Sequence, residues 1–232
     1  MIPRTLEPEV MDTVEEAVDY DSMDHSSVNR VFVNDLLHLL SSRAAEDADK
    51  TSLGGTHVLD LGTGTALIPI QAVKTDDRFA SILACDLSLE MLKVARRHLV
   101  AQRLDATILP VFCDAKRLPV AAQSIGIVMS NSIVHHIPEP LDVFVEMRRV
   151  ISKGGTLFVR DLMRPESGEA VEHIVQIYAG NENAHQQKMF RESLHAALTV
   201  GEVQSLLRRS GFPPEWVSPT SDRHWTIAGT CG

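Results

Sequence analysis

The run Val58-Leu59-Asp60-Leu61-Gly62-Thr63-Gly64-Thr65-Ala66 constrains this chain more than any other stretch. Apolar residues suited to a buried strand end on an acid, a loop with two glycines follows, and an apolar run then opens a helix. Glycine lets the backbone turn tightly and lets a ligand come close. Strand, turn and helix together make a cradle for part of a nucleotide-like molecule. The rest of the chain reads as walls added around that loop.

Strands are expected over Thr56 to Asp60, Ser81 to Cys85, Ala106 to Phe112, Ile125 to Met129 and Thr156 to Val159. Helices alternate with them. One runs from about Ala66 to Lys74 with Pro69 in its first turn, where a missing N–H costs little. Another is capped by Ser88 and runs to about Arg103, with Met91, Leu92, Ala95 and Leu99 on one face. A third starts at Pro140 and is expected to stop at Gly154-Gly155. Such alternation means a parallel sheet covered on both faces.

Outside that core, residues 1–11 read as a loose tail rich in Pro and Glu, and Thr13 to Ser42 as helix interrupted by the polar Tyr20–Ser26 stretch. Residues 1–50 are thus either a packing hairpin or a lid with Tyr20 and Met23 against the ligand. Ala44 to Gly55 reads as a polar connection to the main domain, 51–232. Pro165 to Ala197 breaks the alternation with amide- and charge-rich helices, an insertion at about 165–198 that would stand over the site as a cap. Thr199-Val200-Gly201-Glu202 is a capping box for a helix ending at Gly211. Glu215–Val217 and His224–Ala228 read as a closing pair of strands.

A parallel sheet of this kind binds its ligand at the carboxyl ends of its strands, and four acids fall there: Asp60, Asp86, Asp114 and Asp161. Asp86, 22 positions after Gly64, is placed to accept ribose hydroxyls. Any one acid alone serves equally as a cap for the next helix, Asp161 above all. The dinucleotide fingerprint fails, because its third small residue would fall on Leu67. The pattern acid-x-Gly-x-Gly-x-Gly fits instead at Asp60, Gly62, Gly64 and Ala66, with alanine in the last place.

With Ala84–Ser88, Met91-Leu92, Cys113–Ala115, Ser130–His136 and Glu146–Val150 up to Gly154-Gly155, the chain resembles the class I S-adenosylmethionine-dependent methyltransferases over about residues 56–162. Within them it is similar to the small-molecule, quinone-biosynthesis-like branch. The resemblance implies an α/β, Rossmann-like doubly wound, mostly parallel seven-stranded sheet with an antiparallel last strand. It implies that Asp60 and the Gly62-Thr63-Gly64 loop hold the methionyl amino group and the loop side of S-adenosyl-L-methionine. Asp86 would take the ribose and Asp114 the adenine amino group. Leu87 and Ala115 would flank the ring, with Met91 nearby, and Asn131 would lie near the methionine portion. The alanine at position 66 adds only a methyl.

His135 and His136 are the candidates for catalysis, one ring taking an acceptor's proton if the acceptor carries it at neutral pH. The competing reading is that one caps a helix near Pro138 while the other is packed or solvated. A metal is not expected, since adjacent positions rarely point both rings at one ion and no third ligand is spaced nearby. His185, Tyr178, Asn181 and Asn183 are candidates for the acceptor pocket, and Arg160 and Arg164 for an anionic acceptor. Cys113 reads as a buried small apolar residue.

A net charge of -9 argues against broad nucleic-acid binding. The expected partner is a small-molecule methyl acceptor, with no nucleic acid and no membrane, for a monomer or homodimer. No apolar run offers a membrane span and the N-terminus lacks a signal-peptide pattern. Three widely spaced cysteines, Cys85, Cys113 and Cys231, suit a cytoplasmic location. Two other readings stay open: a methyltransferase acting on RNA or protein, and a non-catalytic cofactor-binding module.

Overall fold

The computed structural model describes residues 2–10, 12–46, 57–77, 79 and 81–232. The elements run α1 (Val14–Ser22), α2 (Ser26–Glu46), β1 (Val58–Leu61), α3 (Leu67–Thr75), β2 (Ile82–Asp86), α4 (Leu89–Gln102), β3 (Ile108–Phe112) and β4 (Ile125–Asn131). Then follow α5 (Leu141–Val150), β5 (Ile151–Leu162), α6 (Gly168–Ala179), α7 (Ala184–Ala196), α8 (Val200–Ser210), β6 (Val217–Pro219) and β7 (His224–Thr230). The seven strands form one sheet in the order β3-β2-β1-β4-β5-β7-β6, with β7 antiparallel to both of its neighbours and the other pairs parallel.

Strand side chains alternate between faces, and both faces are apolar. The row Ile108, Ile82, Val58, Ile127 packs with Phe32, Leu36, Ala72 and Leu99. The next row along, Leu59, Val128 and Leu157, packs on the other side with Phe144, Met147, Val203 and Leu207. This double covering is what the alternation requires, and it leaves the strands' carboxyl ends as the open edge.

Local signals set several boundaries. Ser88 accepts the Met91 N–H at 3.2 Å and starts α4. Thr199 and Glu202 close a reciprocal capping box on α8, which ends on Gly211 in the left-handed region. Others differ from expectation. Helix α5 stops at Val150, before the glycines, because β5 begins at Ile151. Gly154 and Gly155 lie inside that strand, exchanging bonds with Cys231 at 2.7 and 2.9 Å, and φ of +73° at Gly154 bends it. They kink a strand rather than end a helix. Strand β6 starts only at Val217, after a 3-10 turn at Pro214–Trp216, because Trp216 turns its indole onto Gly229, where a Cβ would lie 2.0 Å from the ring.

The N-terminal tail is not loose. Arg4 donates to the carbonyls of His135, Ile137, Pro138 and Ala196 at 2.7–3.1 Å, and the Thr5 N–H bonds His195. Glu9 pairs with Lys116, and Asp12 accepts from Ser88 and from the Leu89 N–H at the head of α4. Four guanidinium bonds to backbone carbonyls convert a Pro- and Glu-rich segment into a strap across the sheet's carboxyl edge. Helices α6 and α7 stand beside it, with Leu162, Val171, Ile174, Val175 and Leu194 as their own apolar contact. The polar connection expected from Ala44 begins inside α2; its remainder, 47–55, and the boundary placed there lie outside the described residues, as does Thr56, the expected start of the first strand.

Candidate functional site

The loop after β1 is held by the end of β2. The N–H groups of Gly62 and Thr63 donate to the Cys85 carbonyl at 2.8 and 3.0 Å. Asp86 Oδ2 accepts the Gly64 N–H at 2.7 Å and its Oδ1 accepts that of Ser88 at 2.8 Å. Gly62 has φ of +69°, and a Cβ there would lie 1.8 Å from Ile133 Cγ2, so both conformation and space demand glycine. Ala66 also takes a left-handed conformation, φ +63°, while fully buried. The departure from glycine therefore carries backbone strain as well as a methyl.

This loop forms one wall of a cavity of about 510 Å³. Of the residues predicted for the cofactor, Tyr20, Gly62, Gly64, Asp86, Leu87, Met91, Asp114, Ala115 and Asn131 line it. Asp60 and Thr63 are buried but are not among its lining. Tyr20 stacks on His25 with ring centroids 4.4 Å apart, and Met23 joins it on the wall, so α1 and the turn after it do face the cavity. Asp114 accepts the Lys116 N–H at 2.9 Å and stands 3.2 Å from the Lys116 ammonium. Burial drives the Asp60 carboxyl up to about 7, with the Asp86 charge adding to it, and pushes the Tyr20 hydroxyl up to about 12.

His135 and His136 belong to a 3-10 turn after β4 and also line the cavity. Asp161, fully buried on β5, organises that turn. Its carboxylate accepts the N–H groups of Val134 (2.6 Å), His135 (3.2 Å) and Leu162 (2.6 Å), and meets His135 Nδ1 at 2.5 Å. Burial opposes a charged His135 ring, but the Asp161 carboxylate outweighs it and the pKa is raised. Burial together with the neighbouring His135 charge takes His136 down to about 3, leaving it neutral. No third ligand is spaced near the histidines along the chain, but the fold brings one to them. Glu7 Oε1, from the strap, lies 3.4 Å from His135 Nε2 and 3.1 Å from His136 Nδ1.

Other candidates divide. Tyr178 and His185 line the cavity, whereas Asn181 does not and Asn183 caps α7. Arg160 and Arg164 are buried away from it. Arg160 pairs with Asp35 and donates to Thr226 across the Phe32 and Phe158 rings; Arg164 pairs with Glu202 and the Ala197 carbonyl. Among the described residues, the arginine that lines the cavity is Arg223, from the turn before β7. Cys113 is half-buried on the cavity wall rather than in the core. Sequence reasoning missed Glu7, Glu9 and Asp12, whose partners lie far along the chain, and no local pattern marks them. Asp161 was visible as a strand-end acid, but its histidine was not.

Residues 59–159 match the family described as a methyltransferase domain. The chain is 27% identical over 168 residues to a demethylmenaquinone methyltransferase of Protochlamydia amoebophila, covering 67% of this chain and 68% of that protein. It is 26% identical over 179 residues to a 27-O-demethylrifamycin SV methyltransferase of Amycolatopsis mediterranei, covering 75% of this chain and 61% of that one. The chain thus spans roughly two thirds of these relatives' length. In fold it is similar to a SAM-dependent methyltransferase from Aquifex aeolicus, with TM-score 0.67, 15% identity and coverage of 95% and 99%. A putative S-adenosyl-L-methionine-dependent methyltransferase from Methanococcus maripaludis gives 0.62, 16%, and 100% and 98%.

Proposed function

We propose that this chain, which belongs to the class I S-adenosylmethionine-dependent methyltransferases, methylates a small molecule held between the strap, the α6–α7 cap and the sheet's carboxyl edge. The observation that carries this is one cavity lined both by the glycine cradle with Asp86 and by His135 and His136. The residues fit the cofactor. Asn131 Oδ1, of a residue on the cavity wall, is buried without a hydrogen-bond partner among the described residues and so can receive an ammonium; Asp60 Oδ2 is likewise unpartnered, though Asp60 itself is outside the lining. Asp86, its oxygens already held by two N–H groups, keeps lone pairs free for ribose hydroxyls. Asp114 would take the adenine amino group, with Leu87, Met91 and Ala115 about the ring.

When bound, S-adenosylmethionine supplies a methyl on a positively charged sulfur, open to in-line displacement by an acceptor. The chain's task is to align that acceptor and exclude water. The strap and cap close the cavity's open side, and the acids on its wall favour a cationic ligand. On the cavity wall His135 and His136 hold the acceptor's polar group. Relatives named for a demethylmenaquinone and a demethylrifamycin support a small-molecule acceptor. Three unpaired cysteines suit the cytoplasm, and no described helix is long and apolar enough to cross a membrane.

The test is calorimetric titration of S-adenosylmethionine into the chain and into Asp86→Ala. Losing charge-assisted ribose bonds should cost about 2 kcal/mol or more. Absence of binding to folded wild-type chain would overturn the reading.

A further inference from the structure

The geometry points to a divalent-cation site made by Glu7 Oε1, His135 Nε2 and His136 Nδ1, with its open side on the cavity. Its role in turnover rests on the methyl-transfer reading; its existence does not. The three donor atoms lie within 4.8 Å of one another, with Glu7 Oε1 at 3.4 Å and 3.1 Å from the two ring nitrogens. A tetrahedral ion with nitrogen and oxygen ligands at ~2.0–2.1 Å needs its ligand atoms roughly 3.3 Å apart. The two rings face each other closely enough for this, their centroids 4.2 Å apart and tilted by 34°.

Two further observations favour an ion over a simple ion pair. Glu7 Oε1 and His136 Nδ1 are both buried, and among the described residues neither has a hydrogen-bond partner despite their closeness. Buried polar atoms left so are costly and call for an explanation. A cation between them is one partner for both. In addition, the second nitrogen of His135 is bonded to the buried Asp161 carboxylate, the arrangement that fixes tautomer and ring direction in metal-ligating histidines.

Charge permits it. Arg4 opposes a positive charge at His135, but its guanidinium is directed at the carbonyls of His135, Ile137, Pro138 and Ala196. Glu7 and Asp161 supply two negative charges against it. Two imidazoles and one carboxylate select zinc, cobalt and similar first-row ions over magnesium or calcium. All three residues line the cavity, so the ion's next ligand would come from there. A hydroxyl-bearing acceptor would fit, because coordination would lower its pKa and its proton would pass to bulk water as it enters, before the cavity closes. The site thus names a substrate class: acceptors whose methylated atom is an ionisable oxygen.

The probe is Co²⁺ added to the chelator-treated full chain, read by visible absorption and calorimetry without S-adenosylmethionine. About one ion per chain is expected, with ligand-field bands and no thiolate charge-transfer band. Glu7→Gln and His136→Gln should each weaken binding at least ~10-fold, and Asp161→Asn by a similar factor through His135. Circular dichroism establishes that each variant is folded; Glu7→Gln, on the strap and outside the core, decides the matter if the others are not. The inference is overturned if wild-type chain binds no Co²⁺, if Glu7→Gln binds it equally, or if a thiolate band assigns the ion to the cysteines. Asp86→Ala separates the two readings: it should lose S-adenosylmethionine and keep Co²⁺.

Discussion

Asp161 Oδ1 lies 2.5 Å from His135 Nδ1, both residues closed off from solvent, so that the last residues of β5 hold the turn that follows β4. The same carboxylate accepts three backbone N–H groups. Asparagine has the size but only one acceptor oxygen, and its NH₂ would confront an N–H. Asp161→Asn should therefore destabilise the chain by about 2–5 kcal/mol, leaving a buried donor unmatched. For a chain of this size that is a fall in Tm of roughly 5–15 °C, measurable by calorimetric melting. An unchanged Tm would mean the turn holds without its carboxylate.

Gly62 is the position where one methyl matters most. Gly62→Ala combines left-handed strain of ~1–2 kcal/mol with overpacking of ~1–3 kcal/mol against Ile133. A loss of about 2–4 kcal/mol in urea unfolding is expected. Ile133→Ala in the same chain should recover more than ~1 kcal/mol of it, a coupling a double-mutant cycle reads directly. Ala66→Gly is the contrast. Relief of strain and loss of a buried methyl (about 0.8 kcal/mol) nearly cancel, so that change should be close to neutral.

What was legible in the sequence was local. The glycine loop, the Ser88 cap, the Thr199–Glu202 box and Gly211 are each specified within a few residues, and the structure has them. The sheet followed because apolar runs alternate with amphipathic ones, and the reversed β7 because the family resemblance supplied it. What failed was non-local. The pairing of Gly154 with Cys231, the seat of Trp216 on Gly229 and the Arg160–Asp35 pair need partners 77, 13 and 125 residues away, beyond any local pattern. The strap failed for a related reason: Pro and Glu argue for solvent until Arg4 finds four carbonyls.

The strap's anchors differ in strength, and that predicts where it opens. Arg4 is tied by four bonds, whereas Glu9–Lys116 and Asp12 at the head of α4 are half-exposed contacts worth under about 1 kcal/mol each. A Glu9→Gln/Asp12→Asn chain should lose at most ~1–2 kcal/mol of stability. Its release of S-adenosylmethionine should nevertheless quicken several-fold in stopped flow, because residues on both sides of those anchors line the cavity. Identical release rates would show that ligand leaves by another face.

Asp60 makes stability depend on pH in a direction opposite to most carboxylates. Burial first, and the Asp86 charge with it, raises its folded-state pKa to about 7, well above its value in an unfolded chain. The folded chain thus keeps the proton where the unfolded chain has lost it. Stability is greatest at the acid end of that window and falls as pH rises from ~4 through ~7. Asp60→Asn should remove this slope and be the more stable form at pH 8, by the order of a few kcal/mol. Chemical unfolding of both chains at pH 5 and pH 8 tests it, and parallel behaviour would mean Asp60 is already ionised. The cofactor reading adds a second measurement. An ammonium brought to Asp60 would favour the carboxylate and drive the proton off. Binding of S-adenosylmethionine near pH 6.5 should then release a proton in the wild-type chain and none in Asp60→Asn, seen as a binding heat that changes with the buffer's ionisation enthalpy.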